Sequence, residues 1–345
     1  MVSGQGAPGL HQYPQHGRPE CSRARAACHG SFRLIPDGQI IGVTGATGFI
    51  GSILCQRLIK QGYAVRALVR TPSKAQTLEQ IGVTLIQGDL ANTAALDDFV
   101  AGANAIIHGA GAVRGNSQED FDAVNVAGTQ ALITALDANN PTAKLVHLSS
   151  IVAREPQLSF YSQSKFRGEN TFNQRSDLNW VIIRPPAVYG PGDVEMLPLF
   201  QTMYRGLAVI PGSPDARTSL IHVDDLVAAI LAALTSDNAR HQTFHLGDGR
   251  EGGYSWREIA SIGEELWSRR VRLWQIPTWL LDGVARANSL IASITGKAPM
   301  LTPPKLRELR HPDWVADNGH LTKATGWEPQ TPLKSGLEAL QISAL

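Results

Sequence analysis

The residues with the clearest catalytic potential are a tyrosine and a lysine four positions apart, Tyr161 and Lys165. Residues at i and i+4 project from the same face of an α-helix, so this spacing brings a phenol beside an ammonium group. A phenol with an ordinary pKa of about 10 is a poor proton shuttle at neutral pH, and a neighbouring ammonium lowers that pKa because it favours the phenolate. We therefore predict that Tyr161 acts as the acid or base and that Lys165 tunes it.

Three glycines form a second chemical feature, because Gly45, Gly48 and Gly51 fall between a strand pattern that ends at Thr44 and a helical pattern that follows at once. The first glycine permits a tight turn, the second lets the backbone approach a pyrophosphate, and the third lets the helix pack on the strand. The helix N-terminus then faces the phosphates. We predict a dinucleotide site here, with these residues in contact with the cofactor: Gly45, Thr47, Gly48, Phe49 and Ile50.

The end of the second predicted strand indicates which dinucleotide is bound. An acidic residue there would hydrogen-bond a ribose 2′-hydroxyl, whereas an arginine accommodates a 2′-phosphate. The strand ends in Arg70, Lys74 follows one turn later, and the run 65–71 contains no carboxylate. We therefore expect NADP rather than NAD, although a solvated surface arginine would leave the same pattern.

The elements that must position these groups are alternating short β-branched runs and longer helical runs, which begin at residue 39. This alternation is typical of βαβ units around a parallel sheet. Strands are predicted at 39–44, 64–69, 83–87, 105–108, 145–148 and 180–184, and helices begin near Gly48, Thr93, Ser117 and Ser159. We predict an α/β fold, a doubly wound parallel Rossmann sheet with a smaller C-terminal substrate-binding lobe, whose ligands lie at the carboxyl ends of the strands.

The domain organisation follows from where these patterns begin and thin out. Residues 1–36 contain several glycines and prolines and no apolar periodicity, which predicts a disordered leader, explained most simply by a misassigned gene start. Residues 37–190 are expected to form the dinucleotide-binding core. Residues 191–345 are expected to form mainly the substrate-binding lobe, with segments around 219–246 returning to the core.

Composition narrows the function classes. The chain of 345 residues is 43% hydrophobic, enough for a folded core, and 31 basic against 30 acidic residues leave no broad cationic surface for nucleic acid. The longest wholly apolar run, residues 226–234, is too short to span a bilayer. Three cysteines give neither a disulfide framework nor a zinc spacing, which favours a reducing, cytoplasmic location and no metal. We expect a small-molecule substrate and leave a homodimer open.

From about residue 39 to the C-terminus the sequence resembles the extended short-chain dehydrogenase/reductase family, which belongs to the NAD-dependent epimerase/dehydratase superfamily. Beyond the glycine turn and the Tyr161/Lys165 pair, the motifs that carry this resemblance occur in the family's order. They are Asp89-Leu90, Gly109-Ala110-Gly111-Ala112, Asn125-Val126-Ala127-Gly128-Thr129, Ser149-Ser150, Arg184-Pro185-Pro186-Ala187-Val188-Tyr189-Gly190-Pro191-Gly192, Ile221-His222-Val223-Asp224-Asp225 and Gly326-Trp327-Glu328-Pro329.

The resemblance implies roles for further residues. The cofactor would be contacted by Asp89 and Leu90 at the adenine, by the Ala110 region over the cofactor, by Lys165 at the nicotinamide ribose, and by Pro185 and Val188 beside the nicotinamide. Tyr161 would move a proton on the substrate oxygen while hydride moves to or from the nicotinamide, with a serine hydroxyl orienting that oxygen. We expect no ligand role for His222, a packed histidine, or for Asp224, the N-cap of the next helix.

The position of the catalytic serine departs from the family's pattern. Extended members usually carry the hydroxyl at the third position of the segment 149–151, which here is Ile151, and only a short loop separates Ser150 from Tyr161. Either Ser149 or Ser150 takes the role, or the serine is missing. We favour Ser150.

The sequence leaves three functions to compare. Nucleotide-sugar members typically bind the diphosphate with an arginine at the position of Thr218, and Arg217 is one place off. The C-terminal half instead carries a set of apolar residues: Leu273, Trp274, Ile276, Trp279, Leu280, Leu281, Leu290 and Ile291. This set resembles the dihydroflavonol reductase and 3β-hydroxysteroid dehydrogenase side of the family. An amphipathic helix that packs on its own core explains the same residues just as simply. Our first hypothesis is an NADP-dependent oxidoreductase acting on a carbonyl or secondary alcohol of a moderately apolar molecule. The alternatives are a nucleotide-sugar epimerase or dehydratase, and a non-catalytic NAD(P)-binding scaffold or regulator.

Overall fold

The computed structural model of the protein describes residues 38–173, 175–295, 301–340 and 342, with the side chains of 289–295 excepted, so the predicted leader at 1–36 lies outside it. Its strands are β1 Ile40–Thr44, β2 Ala64–Val69, β3 Thr84–Gln87, β4 Ala105–His108, β5 Lys144–Leu148, β6 Trp180–Arg184, β7 Ala187–Tyr189, β8 Leu207–Ile210, β9 Arg217–Thr218, β10 Leu220–His222, β11 Gln242–His245, β12 Tyr254–Ser255, β13 Arg272–Gln275 and β14 Asp313–Trp314.

The α-helices of the described part are α1 Phe49–Lys60, α2 Gln76–Gln80, α3 Thr93–Val100, α4 Gln118–Asp122, α5 Thr129–Asn139, α6 Phe160–Glu169, α7 Leu197–Tyr204, α8 Val223–Thr235, α9 Trp256–Trp267, α10 Thr278–Thr295, α11 Pro303–Leu309, α12 Gly319–Thr325 and α13 Leu333–Ala339. A π-helical segment, Ala123–Gly128, joins α4 to α5. A short 3-10 helix, Ile151–Arg154, follows β5 and precedes α6.

Within the described residues, one seven-stranded sheet has the order β11-β6-β5-β4-β1-β2-β3, and all neighbouring strands run parallel. The first strand pairs with β2 on one side and β4 on the other, so that Val43 lies opposite both Ala67 and Ile107. The order therefore reverses between β1 and β4, the point at which doubly wound sheets bind their ligands. The predicted α/β fold is confirmed, and the six predicted strands all lie in this sheet.

Helices bury both faces of the sheet. On one face Leu54 and Leu58 of α1 pack with Ile230 of α8. On the other face Phe99 of α3 packs with Leu136 of α5. Because both faces are covered, the central strands are near-continuous apolar runs without polar alternation, and all five residues of β5 are buried.

Two elements from the second half of the chain complete this layer. Strand β11 adds the outermost position beside β6, with Phe244 opposite Ile183. His222 is the N-cap of helix α8, and its side chain accepts a hydrogen bond from the Asp224 backbone N–H at 3.3 Å. The prediction that Asp224 caps this helix is therefore wrong, because Asp224 lies in the first turn, where a carboxylate favours the positive end of the helix dipole.

The C-terminal half also builds cores of its own. Phe200 of α7, Ile259 of α9 and Leu337 of α13 share one apolar cluster, next to the small β13-β8 and β12-β9-β14 sheets. Leu281 of α10 and Leu306 of α11 share a smaller one. In the part of the chain that the structure describes, no helix combines the length and apolar character needed to cross a membrane.

Candidate active site

The glycine turn after β1 is closed so tightly that side chains would not fit. Gly45 has a φ of 73°, and a Cβ at this position would lie 2.7 Å from the backbone of Gly109. A Cβ at Gly51 would lie 2.2 Å from the Gly45 carbonyl oxygen. The first glycine thus sets the turn beside β4, and the third lets α1 start against it.

The N-terminus of α1 has donor groups to offer a diphosphate. Its N-cap, Gly48, provides no side-chain acceptor, and no acidic residue lies in the first turn. Thr47 and Gly48 are exposed, while Phe49 and Ile50 are half-buried. The uncapped N–H groups and the positive end of the helix dipole favour an anion at this point, so the turn fits a dinucleotide.

At the end of β2, the exposed Arg70 makes no hydrogen bond or ion pair with the described residues. The other arginine of this strand region, Arg66, is instead held by the carbonyls of Asp98, Phe99 and Ala101. The guanidinium of Arg70 therefore has its donors available for a ligand at the carboxyl edge of the sheet.

The residues expected at the adenine and above the cofactor follow β3 and β4. Asp89 is exposed, and its Oδ1 accepts a hydrogen bond from the Ala91 N–H at 3.0 Å, which shapes the turn. Leu90 packs against Gly128. The Ala110 N–H donates to Thr44 Oγ1 at 3.1 Å, which holds the loop after β4 beside the glycine turn.

The expected nicotinamide residues lie on the other side of the strand-order reversal. Pro185 is buried at the end of β6, and its carbonyl accepts a hydrogen bond from the Ile151 N–H at 2.9 Å. Val188 is half-buried in β7, opposite Ile221 of β10. Both residues thus follow the strand that neighbours β5.

Helix α6 carries the Tyr161/Lys165 pair. Its N-cap, Ser159, accepts a hydrogen bond from the Ser162 N–H at 2.9 Å. Tyr161 is half-buried, and Lys165 is buried with its ammonium donating to the Leu148 carbonyl at 2.7 Å. The lysine is thereby fixed at the carboxyl end of β5.

The pKa values of the pair are shifted by their surroundings. Burial and the nearby Glu308 carboxylate raise the pKa of Tyr161 to about 12. The Ser150 hydroxyl acts in the opposite direction and lowers it. Burial lowers the pKa of Lys165 to about 8, opposed by Glu169. The shift at Tyr161 runs against the lowering expected from Lys165, since burial and the Glu308 carboxylate disfavour the phenolate.

The structure treats the two candidate serines differently. Ser150 is the N-cap of the 3-10 helix that follows β5, where its Oγ accepts from the Val152 N–H at 3.4 Å. The same hydroxyl acts on Tyr161 by lowering its pKa. Ser149 is buried, and its hydroxyl has no partner among the described residues. Ile151, at the third position of the segment, is also buried.

Asn125 is a site residue to which the sequence reasoning gave no role. It is buried in the π-helical segment, where its Oδ1 accepts from the Ala112 N–H at 2.8 Å. Its Nδ2 donates to the Ala112 carbonyl at 3.0 Å and to Ser164 Oγ at 2.8 Å. Asn125 therefore ties the loop after β4 to the helix that carries Tyr161.

A cavity of about 200 Å³ opens beside Tyr161. Its walls are partly apolar and partly polar, and they consist of Val113, Arg114, Gly115, Asn116, Phe121, Ser159, Phe160, Tyr161, Thr302, Pro304 and Lys305. Arg114 pairs with Glu195, and Lys305 pairs with Glu308. No sequence signal singled out Arg114, Lys305 or Glu308, because they come together only in the folded chain.

The members of the apolar set at 273–291 whose side chains are described do not line this cavity. Leu281 is buried in the cluster between α10 and α11. Trp274 and Trp279 are 51% and 73% exposed, and the side chains of Leu290 and Ile291 lie outside the described residues. Packing in this cluster accounts for the apolar character of part of the set. The residues that the C-terminal half contributes to the cavity wall are Thr302, Pro304 and Lys305.

Comparisons with known proteins identify the family. The NAD dependent epimerase/dehydratase family matches residues 41–247. A ceramide reductase of Caulobacter vibrioides is 34% identical over 301 residues, which are 86% of this chain and 90% of that protein. A 2-alkyl-3-oxoalkanoate reductase of Shewanella oneidensis is 31% identical over 220 residues, which are 56% of each chain.

Among solved structures, UDP-glucuronic acid 4-epimerase from Bacillus cereus in complex with NAD superimposes with a TM-score of 0.66. The two sequences are 23% identical, and the match covers 87% of this chain and 95% of that one, which supports the shared fold. The family match spans more than half of this chain, and its reductase relative covers most of it. The chain therefore belongs to the NAD-dependent epimerase/dehydratase family and is an NAD(P)-dependent enzyme of the extended short-chain dehydrogenase/reductase type.

Proposed function

We propose that the protein is an NADP-dependent reductase of a carbonyl group on a molecule that carries alkyl chains. The observation that carries the proposal is the position of Tyr161, which lines a partly apolar cavity on the helix that carries the buried Lys165. The names of two relatives support the substrate class, because a ceramide and a 2-alkyl-3-oxoalkanoate both carry alkyl chains.

The chain's own residues divide the work of reduction. NADPH, when bound, supplies the hydride for the carbonyl carbon. Tyr161 gives its proton to the carbonyl oxygen, so that the product is an alcohol, and Ser150 orients that oxygen. Lys165 holds the nicotinamide ribose. The glycine turn, Asp89, Leu90, Ala110, Pro185 and Val188 bind the rest of the dinucleotide.

The geometry around Arg217 argues against a nucleotide-sugar substrate. Its guanidinium donates to the carbonyls of Gly252 and Gly253 at 2.5 and 2.9 Å and pairs with Glu258 at 3.2 Å. These partners hold Nε and Nη2 of Arg217 against the chain's own groups, which leaves only Nη1 for a diphosphate and weakens the case for this substrate. The assembled Tyr161, Lys165 and Ser150 likewise argue against a scaffold without turnover.

The reaction is tested by following NADPH oxidation with a 3-oxoacyl ester or a long-chain ketone. Because UDP-glucose has no carbonyl for NADPH to reduce, its conversion into another nucleotide sugar is followed separately, by chromatography in the presence of NAD or NADP. We expect reduction of the two alkyl carbonyls and no conversion of UDP-glucose. Tyr161→Phe should abolish turnover while NADPH binding changes little, because the phenol acts on the substrate oxygen. Turnover of the nucleotide sugar alone, or full activity in Tyr161→Phe, would contradict the proposal.

The cofactor preference is tested at Arg70. Replacing Arg70 by Asp removes the bidentate donors for a 2′-phosphate and adds a like charge, so the ratio of NADPH to NADH affinity should fall by about tenfold or more. Lys60→Asp makes the same charge change at the exposed C-terminal end of α1 and should leave the ratio unchanged. Equal affinities for both cofactors in the unaltered protein would exclude the assignment of Arg70.

A further inference from the structure

A buried carboxylate from the C-terminal half of the chain lies beside the tyrosine. Glu308 of α11 is 4% exposed. Its Oε2 accepts hydrogen bonds from Ser159 Oγ at 2.6 Å and from Ser162 Oγ at 3.3 Å, and its Oε1 pairs with the Lys305 ammonium. Burying a carboxylate is costly unless it is paired and hydrogen-bonded, and here both oxygens have partners.

These contacts tie α11 to the start of α6. Ser159 is the N-cap of α6, and Ser162 is the residue next to Tyr161. A second link runs from Arg307 Nε to the Leu158 carbonyl at 3.1 Å. The position of α11 is therefore fixed relative to the turn of helix that carries the tyrosine.

The same arrangement builds one wall of the cavity. Thr302, Pro304 and Lys305 line it together with Ser159 and Tyr161. The Lys305 ammonium lies 5.3 Å from the centre of the Tyr161 ring. A cation and an anion from α11 thus flank the phenol, and the anion is the more deeply buried of the two.

We propose that Glu308 is a positioning residue that holds α11 against the Tyr161 turn through Ser159, Ser162 and Lys305, and that its charge keeps the proton on the Tyr161 oxygen for donation. This inference rests on the proposed role of Tyr161 as the acid. It extends that role to a residue that follows Tyr161 by more than a hundred positions.

The electrostatics support the second half of the proposal. A carboxylate disfavours a neighbouring phenolate, and after burial Glu308 is the next cause that raises the Tyr161 pKa. Several charged groups lie on the elements around Tyr161. They are Lys165, Arg167 and Glu169 on α6, Glu119, Asp120 and the Arg167-paired Asp122 on α4, Arg154 and Glu155 after β5, Lys305, Arg307 and Glu308 on α11, and the Arg114–Glu195 pair at the cavity. Of these carboxylates, Glu308 is the one that raises the Tyr161 pKa.

The test follows the phenol directly by carbon-13 NMR of Cζ-labelled tyrosine over a pH titration. The chain has 6 tyrosines, and Tyr161→Phe assigns the relevant signal. Glu308→Gln keeps the size of the side chain and removes its charge, so the Tyr161 midpoint should fall by about half a pH unit or more. Lys305→Met removes the neighbouring cation and should not lower the midpoint.

Comparing the Tyr161 midpoints of Glu308→Gln and Lys305→Met separates loss of the Glu308 charge from loosened packing of the cavity wall. A wall that merely opened would hydrate Tyr161 and lower the midpoint in both variants, and that result would overturn the proposal, as would an unchanged midpoint in Glu308→Gln. Should Glu308→Gln lose its thermal transition, the doubly neutral Glu308→Gln/Lys305→Met variant replaces it, since a neutral pair avoids an unpaired buried charge. Its midpoint should lie below that of Lys305→Met, and equal midpoints would reject the role of Glu308.

Turnover gives an independent readout. Because the protonated phenol is the active form, reduction is lost as pH rises through the Tyr161 pKa, and this limb should move to lower pH in Glu308→Gln. The NMR titration needs no substrate. If the midpoints shift as stated while no carbonyl is reduced, the proposed function fails and the effect of Glu308 on the Tyr161 proton stands.

Discussion

Ser149 and Ser150 are adjacent in sequence but face different surroundings. The backbone at Ser150 is extended, with φ and ψ of −157° and 153°, and successive side chains of an extended chain point to opposite sides. The Ser150 hydroxyl accordingly has a partner in the Val152 N–H and lowers the Tyr161 pKa, whereas the Ser149 hydroxyl is buried without a partner in the described part of the chain. Removal of the two hydroxyls should therefore change turnover by different amounts.

Replacing Ser150 by Ala should lower turnover by about 10²-fold, in line with the loss of one positioned polar group from an active site. Ser149→Ala removes an unpartnered hydroxyl and should leave turnover nearly unchanged. Turnover numbers with the same ketone and saturating NADPH compare the two variants. The reverse order of effects would transfer the role to Ser149.

At the scale of elements, β4 and β5 each carry a fully buried histidine into the sheet. His108 hydrogen-bonds Thr44 Oγ1 at 2.7 Å and Thr129 Oγ1 at 3.1 Å, and neither ring nitrogen of His147 has a partner among the described residues. Burial lowers the pKa of His108 to about 3 and that of His147 well below its usual range, assisted at both by the Lys165 charge. Both rings are neutral in the folded protein.

Stability should therefore fall as the pH falls below about 6.5, because the unfolded chain then binds protons that the folded chain does not. Each such histidine contributes at most about 1.4 kcal/mol per pH unit to the slope of the free energy of unfolding. His147→Leu should reduce the slope between pH 6.5 and 5 by about that amount in urea titrations. Equal slopes in His147→Leu and the unaltered protein would contradict the prediction.

The predicted elements succeeded where a local pattern was enough. Apolar runs bounded by turns placed the six strands to within one residue, and Ser117 and Ser159 are N-caps, as expected for helices that begin there. The strand β11 was not predicted as a strand, because its alternating sequence resembles any partly exposed segment until it pairs with β6. The N-cap at His222 was missed because a histidine rarely serves as one.

At the scale of the molecule, helix α13 of the C-terminal core packs against strands β7 and β10. A Cβ at Gly336 would lie 2.2 Å from the Tyr189 hydroxyl, and Tyr189 is fully buried. The Tyr189 ring packs at 5.4 Å from His222, the N-cap of α8. Gly336 thus permits an approach between helix and strand that no larger residue allows.

Gly336→Ala should lower the free energy of unfolding by about 1–3 kcal/mol, as overpacking of a dense core does, despite the better helix propensity of Ala. Gly283 of α10 offers the matched control, because a Cβ there meets nothing within 4 Å. Gly283→Ala should be neutral or stabilise by up to about 1 kcal/mol. Thermal unfolding of both variants decides the matter, and equal melting temperatures would show that Tyr189 can give way.

The sequence by itself determined the glycine turn, the Tyr161/Lys165 pair and the strands that carry them, because each depends on residues a few positions apart and on the fixed periods of helix and strand. Only the tertiary structure decided what surrounds the phenol. Glu308 meets Ser159 across 149 positions of the chain, and no periodicity encodes such a contact. The pKa of Tyr161 is raised and not lowered because burial and this distant carboxylate act on it, and both exist only once the two halves of the chain have packed together.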